Sequence, residues 1–364
     1  MTTTTAPPSE QTPASRRQLT RGTLPVWAPW GLLGASVAIM LPLFWLVSFT
    51  SDSGLNIAGW AVSSVLLFLI LVYVVSRLVE GHRKAVDRLV TAVVATAFGI
   101  AMLPLVSVSY EVIRLGMARM DVEFFTSSMR NIDGEGGGAL HAIVGTLEIT
   151  GMAALISVPI GVMTAIYLVE YGKGQLARGI TFLVDVMTGI PSIVAGLFAY
   201  ALFALFFFPG IRMGFMGAVA LAVLMTPVVV RSTEEMLRLV PNELREASYA
   251  LGVPKWLTIV KVVLPTAIAG ITTGIMLAIA RVIGETAPLL ITAGFTHSMN
   301  YDLFDGRMQT LPVFTYTQYM NQGIPQFAYV DRAWAAALTL IVIVMALNLL
   351  ARLIARIFAP KTNR

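Results

Sequence analysis

Arg281 and Glu285 stand four residues apart inside an apolar run from about Val263 to Phe295. In a continuous helix that spacing sets a guanidinium and a carboxylate on one face. A cation at the centre of a bilayer costs at least about 2.5–3.5 kcal/mol, so it needs a counter-charge, an anion or a water-filled cavity. Thr286 adds a hydroxyl, while Gly284 and Pro288 threaten the helix and free backbone N–H and C=O groups. The same face continues toward the N-terminus as Ala278, Gly274 and Gly270, a ladder of small residues that admits another helix at close range. Together these residues describe a polar path through a membrane. Two other uses stay open: a structural ion pair, and a guanidinium snorkelling from the end of a shorter span.

Three further charged residues fall in or beside apolar runs. Asp185 lies four residues before Gly189 and either lines a path or caps a packing contact. Glu148 is expected near the outer end of its span, and Arg231 at the inner boundary, where it reads as a topology anchor.

Composition sets the class. Of 364 residues, 57% are hydrophobic and 12% charged, and the mean hydropathy is +0.78. A soluble domain carries about 25% charged residues, so the fold class is an all-α polytopic membrane protein. The net charge of +5 reads as the signature of basic inner loops and not as a nucleic-acid surface. Cysteine is absent, His82, His141 and His297 are scattered, and no H-E-x-x-H occurs, which leaves no thiolate nucleophile and no recognisable metal site. Enzyme chemistry is not expected.

Residues 1–23 are rich in Thr, Pro and Ser and carry Arg16, Arg17 and Arg21, as expected of a disordered basic tail on the cytoplasmic side. Apolar runs follow at about 26–49 and 57–75, an N-terminal hairpin that closes with a basic loop up to residue 88. Further runs at about 89–112, 142–169, 180–208, 215–230, 263–295 and 333–358 bring the count to eight spans. Polar segments at 113–139 and 296–331 are expected outside, the segment 231–262 and the tail 359–364 inside. On that topology eighteen of the 25 Lys and Arg residues fall inside and six outside, with Arg281 between, so both termini are expected to be cytoplasmic.

The inner segment contains a short helix signal from Val240 to Gly252. Pro241 suits its first turn and Gly252 the position past its end. Leu244, Ala247, Ser248 and Leu251 recur at helical spacing, with Glu243, Arg245 and Glu246 off that stripe. Two acids and one base make poor glue for anionic lipid, so a protein groove is the better host.

Glu246-Ala247-Ser248, Gly252 four residues later and Val262-Val263-Leu264-Pro265 resemble the EAA loop of ABC importer permeases, E-A-A-x3-G-x9-I-x-L-P. Ser248 and Val262 depart from that pattern. The segments 189–194, 226–235 and 281–290, with Thr310-Leu311-Pro312-Val313, are similar to those of phosphate-specific permeases of the PstA type. Ala287 after Gly284-Glu285-Thr286 sets the chain apart from the PstC type. The resemblance covers roughly residues 138–358 and implies a type I permease fold of six spans, leaving the first two spans as an extra hairpin. It implies ATPase coupling at Glu246, Ala247, Gly252, Leu264 and Pro265. It further implies a PstC-type second permease facing the ladder Gly270, Gly274 and Ala278, two PstB-type ATPase copies and an external phosphate-binding protein.

No G-x-x-x-x-G-K-[ST] occurs, so no cofactor is expected on this chain, and ATP and Mg belong to the partner ATPases. The substrate pathway is assigned to Arg281, Glu285, Thr286 and Asp185, and the location to a bacterial inner membrane. Another oxyanion (sulfate, molybdate or phosphonate), an ion-coupled transporter relaying protons through Glu285 and Asp185, and a signalling receptor are the competing expectations.

Overall fold

A computed structural model describes residues 22–50 and 56–358, and the tail segments 1–21 and 359–364 lie outside the described residues. Among the described residues there are helices and connecting loops but no strand. The chain divides into two compact units, Met1–Ser109 and Tyr110–Arg364.

The first unit is built from α1 (Ala28–Thr50), α2 (Ile57–Val79) and most of α3 (His82–Gly116). Asn56 caps α2 by accepting the Gly59 N–H at 2.9 Å. Phe68, Val72 and Ala92 form a small core with Leu32, Leu33 and Leu69 packed against it. Ala92 belongs to α3, so the unit runs past residue 88, where the sequence sets the end of the hairpin, and closes within α3. Gly81, in the left-handed region at φ 95°, makes the tight turn from α2 into α3. Beside it the buried Glu80 carboxylate accepts the Leu24 N–H at 2.8 Å and pairs with Arg88 at 2.6 Å. Burial pushes that carboxyl up, but the bonds from Arg88 and Leu24 outweigh it and hold the group below its ordinary range. One member of the basic loop is thus turned inward to staple the unit.

The second unit continues through α4 (Val122–Thr126), α5 (Leu140–Ile166), α6 (Gly174–Thr188), α7 (Ser192–Phe206), α8 (Gly214–Arg238), α9 (Asn242–Ala250) and α10 (Lys255–Thr258). It ends with α11 (Leu264–Val282), α12 (Ala287–Thr292), α13 (Leu311–Met320) and α14 (Gln326–Phe358). Among the described residues, seven helices are long and apolar enough to cross a membrane. The run expected as one span at 180–208 is instead the pair α6 and α7, bent by 110°. Pro191 is the reason: its ring steers the preceding Ile190 away from the helical region, and the chain restarts at Ser192.

Helix α8 is the axis of this unit. Its Leu221, Met225 and Val229 are wholly buried among Ile149 and Ala153 of α5, Ala278 and Val282 of α11, and Leu289 of α12. Close approach depends on glycine. A Cβ on Gly161 would stand 2.7 Å from Val229, one on Gly270 would overlap the Met236 side chain, and one on Gly274 would overlap Ser232. This corrects one expectation. The ladder Gly270, Gly274 and Ala278 does not wait for a partner permease, because α8 of the same chain already fills it.

At the end of the unit away from α9, Arg332 is fully buried and organises the glycine-rich loop. It donates to the carbonyls of Gly134 at 2.6 Å and Gly136 at 2.9 Å and to Gln318 Oε1 at 3.0 Å, and its guanidinium lies 4.6 Å from the Tyr329 ring centre. The loop is therefore a fixed surface.

Valine at Gly274 forces α8 and α11 apart and is expected to cost about 1–3 kcal/mol, lowering the thermal midpoint of the purified protein by several degrees. Gly151→Ala, where a Cβ meets nothing within 4 Å, should leave the midpoint unchanged.

Candidate functional site

Helix α11 ends at Val282, and the chain runs through Ile283–Thr286 without helical structure before α12 begins at Ala287. Pro288 follows in the first turn of α12, where its missing N–H costs nothing. It packs so closely on α7 that a Cβ at Gly196 would lie 2.6 Å from the Pro288 Cα. The segments around 189–194 and 281–290 are therefore two sides of one contact.

The break changes the relation between the two charged residues. Arg281 is still on α11 but Glu285 is not, so the shared helical face implied by their spacing does not form. Among the described residues neither side chain has an ion-pair or hydrogen-bond partner. The structural ion pair is thus not what the structure contains. Arg281 is exposed and shares its stripe of α11 with the exposed Thr273 and Leu277. That stripe is offset from Gly270, Gly274 and Ala278, which look into α8. Glu285 and Thr286 are half-buried at the break. A cation, a carboxylate and a hydroxyl thus border one interruption of a membrane-spanning helix, and the two charges are not neutralised among the described residues.

Asp185 has a different surrounding. It pairs with Arg231, which also reaches Glu234 at 2.9 Å, and Glu234 in turn holds Arg238 at 2.6 Å. Of the two uses open to Asp185, the structure shows the packing contact, a tie between α6 and α8. Its charge is met by Arg231 in a part-exposed pair, so Asp185 is not among the unpaired groups at the break. Arg231 is likewise more than a topology anchor, since it links two carboxylates.

The coupling-loop residues form an exposed helical knob. α9 ends in a left-handed Gly252 at φ 76°, with the Val253 N–H bonded back to the Ser248 carbonyl at 3.2 Å and the Gly252 N–H to the Tyr249 carbonyl at 2.9 Å. Glu246, Ala247, Leu244 and Leu251 are exposed, whereas Ser248 is buried with its hydroxyl 2.8 Å from Thr258 Oγ1 on α10. The residue that departs from the E-A-A pattern is therefore used inside the loop. Lys255–Val263 then leads, through one π-helical turn at Ile259–Val263, into Leu264 and Pro265, which open α11. Leu264 packs against a core of Ala165, Val230, Leu237 and Val263.

Arg245, noted in the sequence only as lying off the stripe, and Glu170, which the sequence left unremarked, fix the knob in place. Arg245 donates from Nε (3.0 Å) and Nη2 (2.9 Å) to one oxygen of Glu170, and also to the carbonyls of Val240 and Leu237. Glu170 belongs to a second π-helical turn, Tyr167–Tyr171, at the end of α5. Lys255 donates to the Glu170 carbonyl and lies 4.7 Å from the Tyr171 ring centre. The knob is thus fastened to α5 by a largely buried pair, Arg245 12% and Glu170 5% exposed, and runs on into α11 through the π turn at Ile259–Val263. The only signal in the sequence was that Arg245 falls off the apolar stripe; its partner is 75 residues away.

A bundle of this kind, with a broken spanning helix and an exposed helix tied to two spans, is that of a membrane transport component. The fold matches a bacterial alginate ABC transporter in complex with its alginate pentasaccharide-bound periplasmic protein, with TM-score 0.53 and 14% identity over 79% of this chain and all of that one. The phosphate transport system permease protein PstA 1 of Mycobacterium tuberculosis is 49% identical over 80% of this chain and 94% of that protein. The PstA protein of Pasteurella multocida is 38% identical over 78% and 97%. Residues 157–364 match the family model described as binding-protein-dependent transport system inner membrane component. The chain belongs to that family and is a multi-pass membrane protein.

Removing either partner of the Glu170–Arg245 pair strands a buried charge, with a cost of about 3 kcal/mol. Glu170→Ala and Arg245→Ala should each depress the thermal midpoint of the purified protein. The double variant should cost clearly less than the two summed, and strict additivity in that cycle would show that the pair does not fasten α9.

Proposed function

We propose that this chain is the PstA-type permease subunit of an ATP-driven importer of inorganic phosphate in a bacterial inner membrane. The observation that carries the reading is the unpaired Arg281 at a helix break, in a chain about half identical to a phosphate transport permease. A guanidinium on the exposed stripe of a spanning helix is costly against lipid, so the stripe of Thr273, Leu277 and Arg281 is the face that a PstC-type second permease covers. The anion path then runs between the two permeases, with Arg281 offering a planar fork of donors to phosphate oxygens.

Glu285 supplies selectivity. Phosphate near neutral pH keeps at least one proton and sulfate keeps none, so a carboxylate accepts a hydrogen bond from the first and repels the second. Thr286 adds a hydroxyl at the same break. The energy comes from two PstB-type ATPase subunits, which use ATP and Mg and grip the knob formed by Glu246, Ala247 and Gly252. Leu264 and Pro265 pass their stroke to α11. An external phosphate-binding protein delivers the ion at the opposite end, with both termini of this chain cytoplasmic.

Radiolabelled phosphate uptake into proteoliposomes holding the whole complex, internal ATP and external binding protein tests this. Arg281→Gln is expected to lower uptake at least about tenfold, the value of one charge-assisted bond. Glu285→Gln is expected to lose discrimination, so that sulfate competes. Wild-type uptake and selectivity in both variants would remove Arg281 and Glu285 from the path.

A further inference from the structure

Beyond Arg281, two further arginine stems converge on one residue. Gly294 follows α12 in the left-handed region at φ 74°. A Cβ placed on it would lie 3.1 Å from Arg212 Cδ, 3.6 Å from Arg212 Nη1 and 3.5 Å from Arg307 Cδ. All three distances are measured from one point, so the two arginine stems are neighbours above Gly294, with the head of Arg212 over it.

Backbone bonds impose this arrangement. The Met213 N–H donates to the Thr292 carbonyl at 3.3 Å, and the Met308 N–H donates to the Ala293 carbonyl at 3.1 Å. Each bond anchors the residue next to one of the two arginines onto the end of α12. Phe215 N–H to Leu303 O at 2.7 Å and the Asn300 side chain on the Asp305 and Arg307 carbonyls hold the flanking loop in shape. The glycine leaves room for both stems, and any side chain there would be strained.

Neither arginine forms an ion pair or a side-chain hydrogen bond among the described residues. Asp302 and Asp305, the acids of the same loop, are not paired with them; Asp302 accepts the Phe304 N–H instead. Arg212 is half-buried and Arg307 exposed, and two cations on neighbouring stems with no carboxylate between them gain from sharing an anion. The partial negative charge at the end of the six-residue α12 is about half an elementary charge at most, which does not balance two cations.

We propose that Arg212 and Arg307 form an entry site for a tetrahedral oxyanion at the mouth of the path, on the side away from α9, ahead of Arg281. The inference rests on the phosphate-import reading above. The ion released by the external binding protein is held there by two forks of donors and is kept from diffusing back while the path opens. Gly294 shapes the site by bringing the two stems together.

The test uses the whole complex in proteoliposomes, with phosphate-loaded binding protein outside and ATP inside. The quantities read are phosphate taken up per ATP hydrolysed and the concentration of binding protein that half-saturates ATP hydrolysis. The Arg212→Gln/Arg307→Gln double variant is expected to lower uptake per ATP at least about fivefold, the loss of charge-assisted bonds at one anion, with half-saturation unchanged. Arg212→Lys/Arg307→Lys, which keeps the charge without the fork, should recover part of that loss. An unchanged uptake ratio with a raised half-saturating concentration would overturn the proposal and make the pair a docking surface for the binding protein. An unchanged ratio with less phospholipid retained by the purified complex would also overturn it, the phosphate group then being that of a lipid. Arg281→Gln is run in parallel. If it abolishes uptake while the double variant keeps the wild-type ratio, the entry site alone fails; if Arg281→Gln also transports normally, the pathway reading fails with it.

Discussion

The contact between α8 and α11 governs the rest of the larger unit. Because Gly270 and Gly274 carry no side chain, α11 can lie against Met236 and Ser232, and Ala278 closes the seam inside the core. That contact fixes the rotation of α11 about its own axis. With the ladder turned into α8, the stripe carrying Thr273, Leu277 and Arg281 has no choice but to point out of the chain. The same seam sets where α11 starts, just beyond the π turn that leads from the exposed helix α9. One close packing therefore positions a cation on a spanning helix and, on the reading proposed above, the helix that receives the ATPase stroke.

The large-scale fold was legible because it rests on composition and hydropathy. Seven spanning helices and a bent pair follow from apolar runs separated by polar loops. The bend itself was legible only in principle, through Pro191, since an apolar run of that length looks like a single span. The site was legible in kind and not in geometry. An intramembrane arginine beside a glutamate announces function, but i, i+4 spacing predicts a pair only while the helix continues. Gly284 and Pro288, visible in the same stretch, interrupt it. The ladder was misassigned for a related reason: a small-residue stripe shows that a helix comes close and is silent on whether that helix belongs to the same chain.

What sequence could not supply are contacts between distant segments. Glu170 and Arg245 meet across 75 residues, Arg332 holds carbonyls nearly two hundred residues earlier, and Arg212 and Arg307 meet only because α12 is held between their segments. Each of these arginines reads, in the sequence, as one more loop charge. Periodicity identifies faces of single elements; it does not say which loop closes over which. Ser248 shows the converse. In the sequence it is only a departure from the EAA pattern, whereas in the fold its buried hydroxyl lies 2.8 Å from Thr258 Oγ1 and ties α9 to α10.

The two ends of the larger unit are built on opposite electrostatic principles. At the α9 end, among the described residues, the buried carboxylates have partners: Glu170 pairs with Arg245, and Glu234 with Arg231 and Arg238, while Arg231 also reaches the exposed Asp185. Paired charges in partly buried sites stiffen the contact between elements, which suits a region that must transmit a displacement without yielding. At the helix break and beyond it, Arg281, Arg212 and Arg307 are left without carboxylates, and Glu285 stands apart from the guanidinium nearest to it in sequence. Had Arg281 and Glu285 been paired, an arriving anion would have had to break an ion pair before binding. Unpaired, the cation loses nothing to the protein when the anion arrives, and the carboxylate remains able to accept a proton's hydrogen bond from it. The helix break at Ile283–Thr286 is what keeps the two apart, so the interruption of α11 is itself the feature that lets one chain hold, on the reading proposed above, both a cation for attraction and an acid for discrimination.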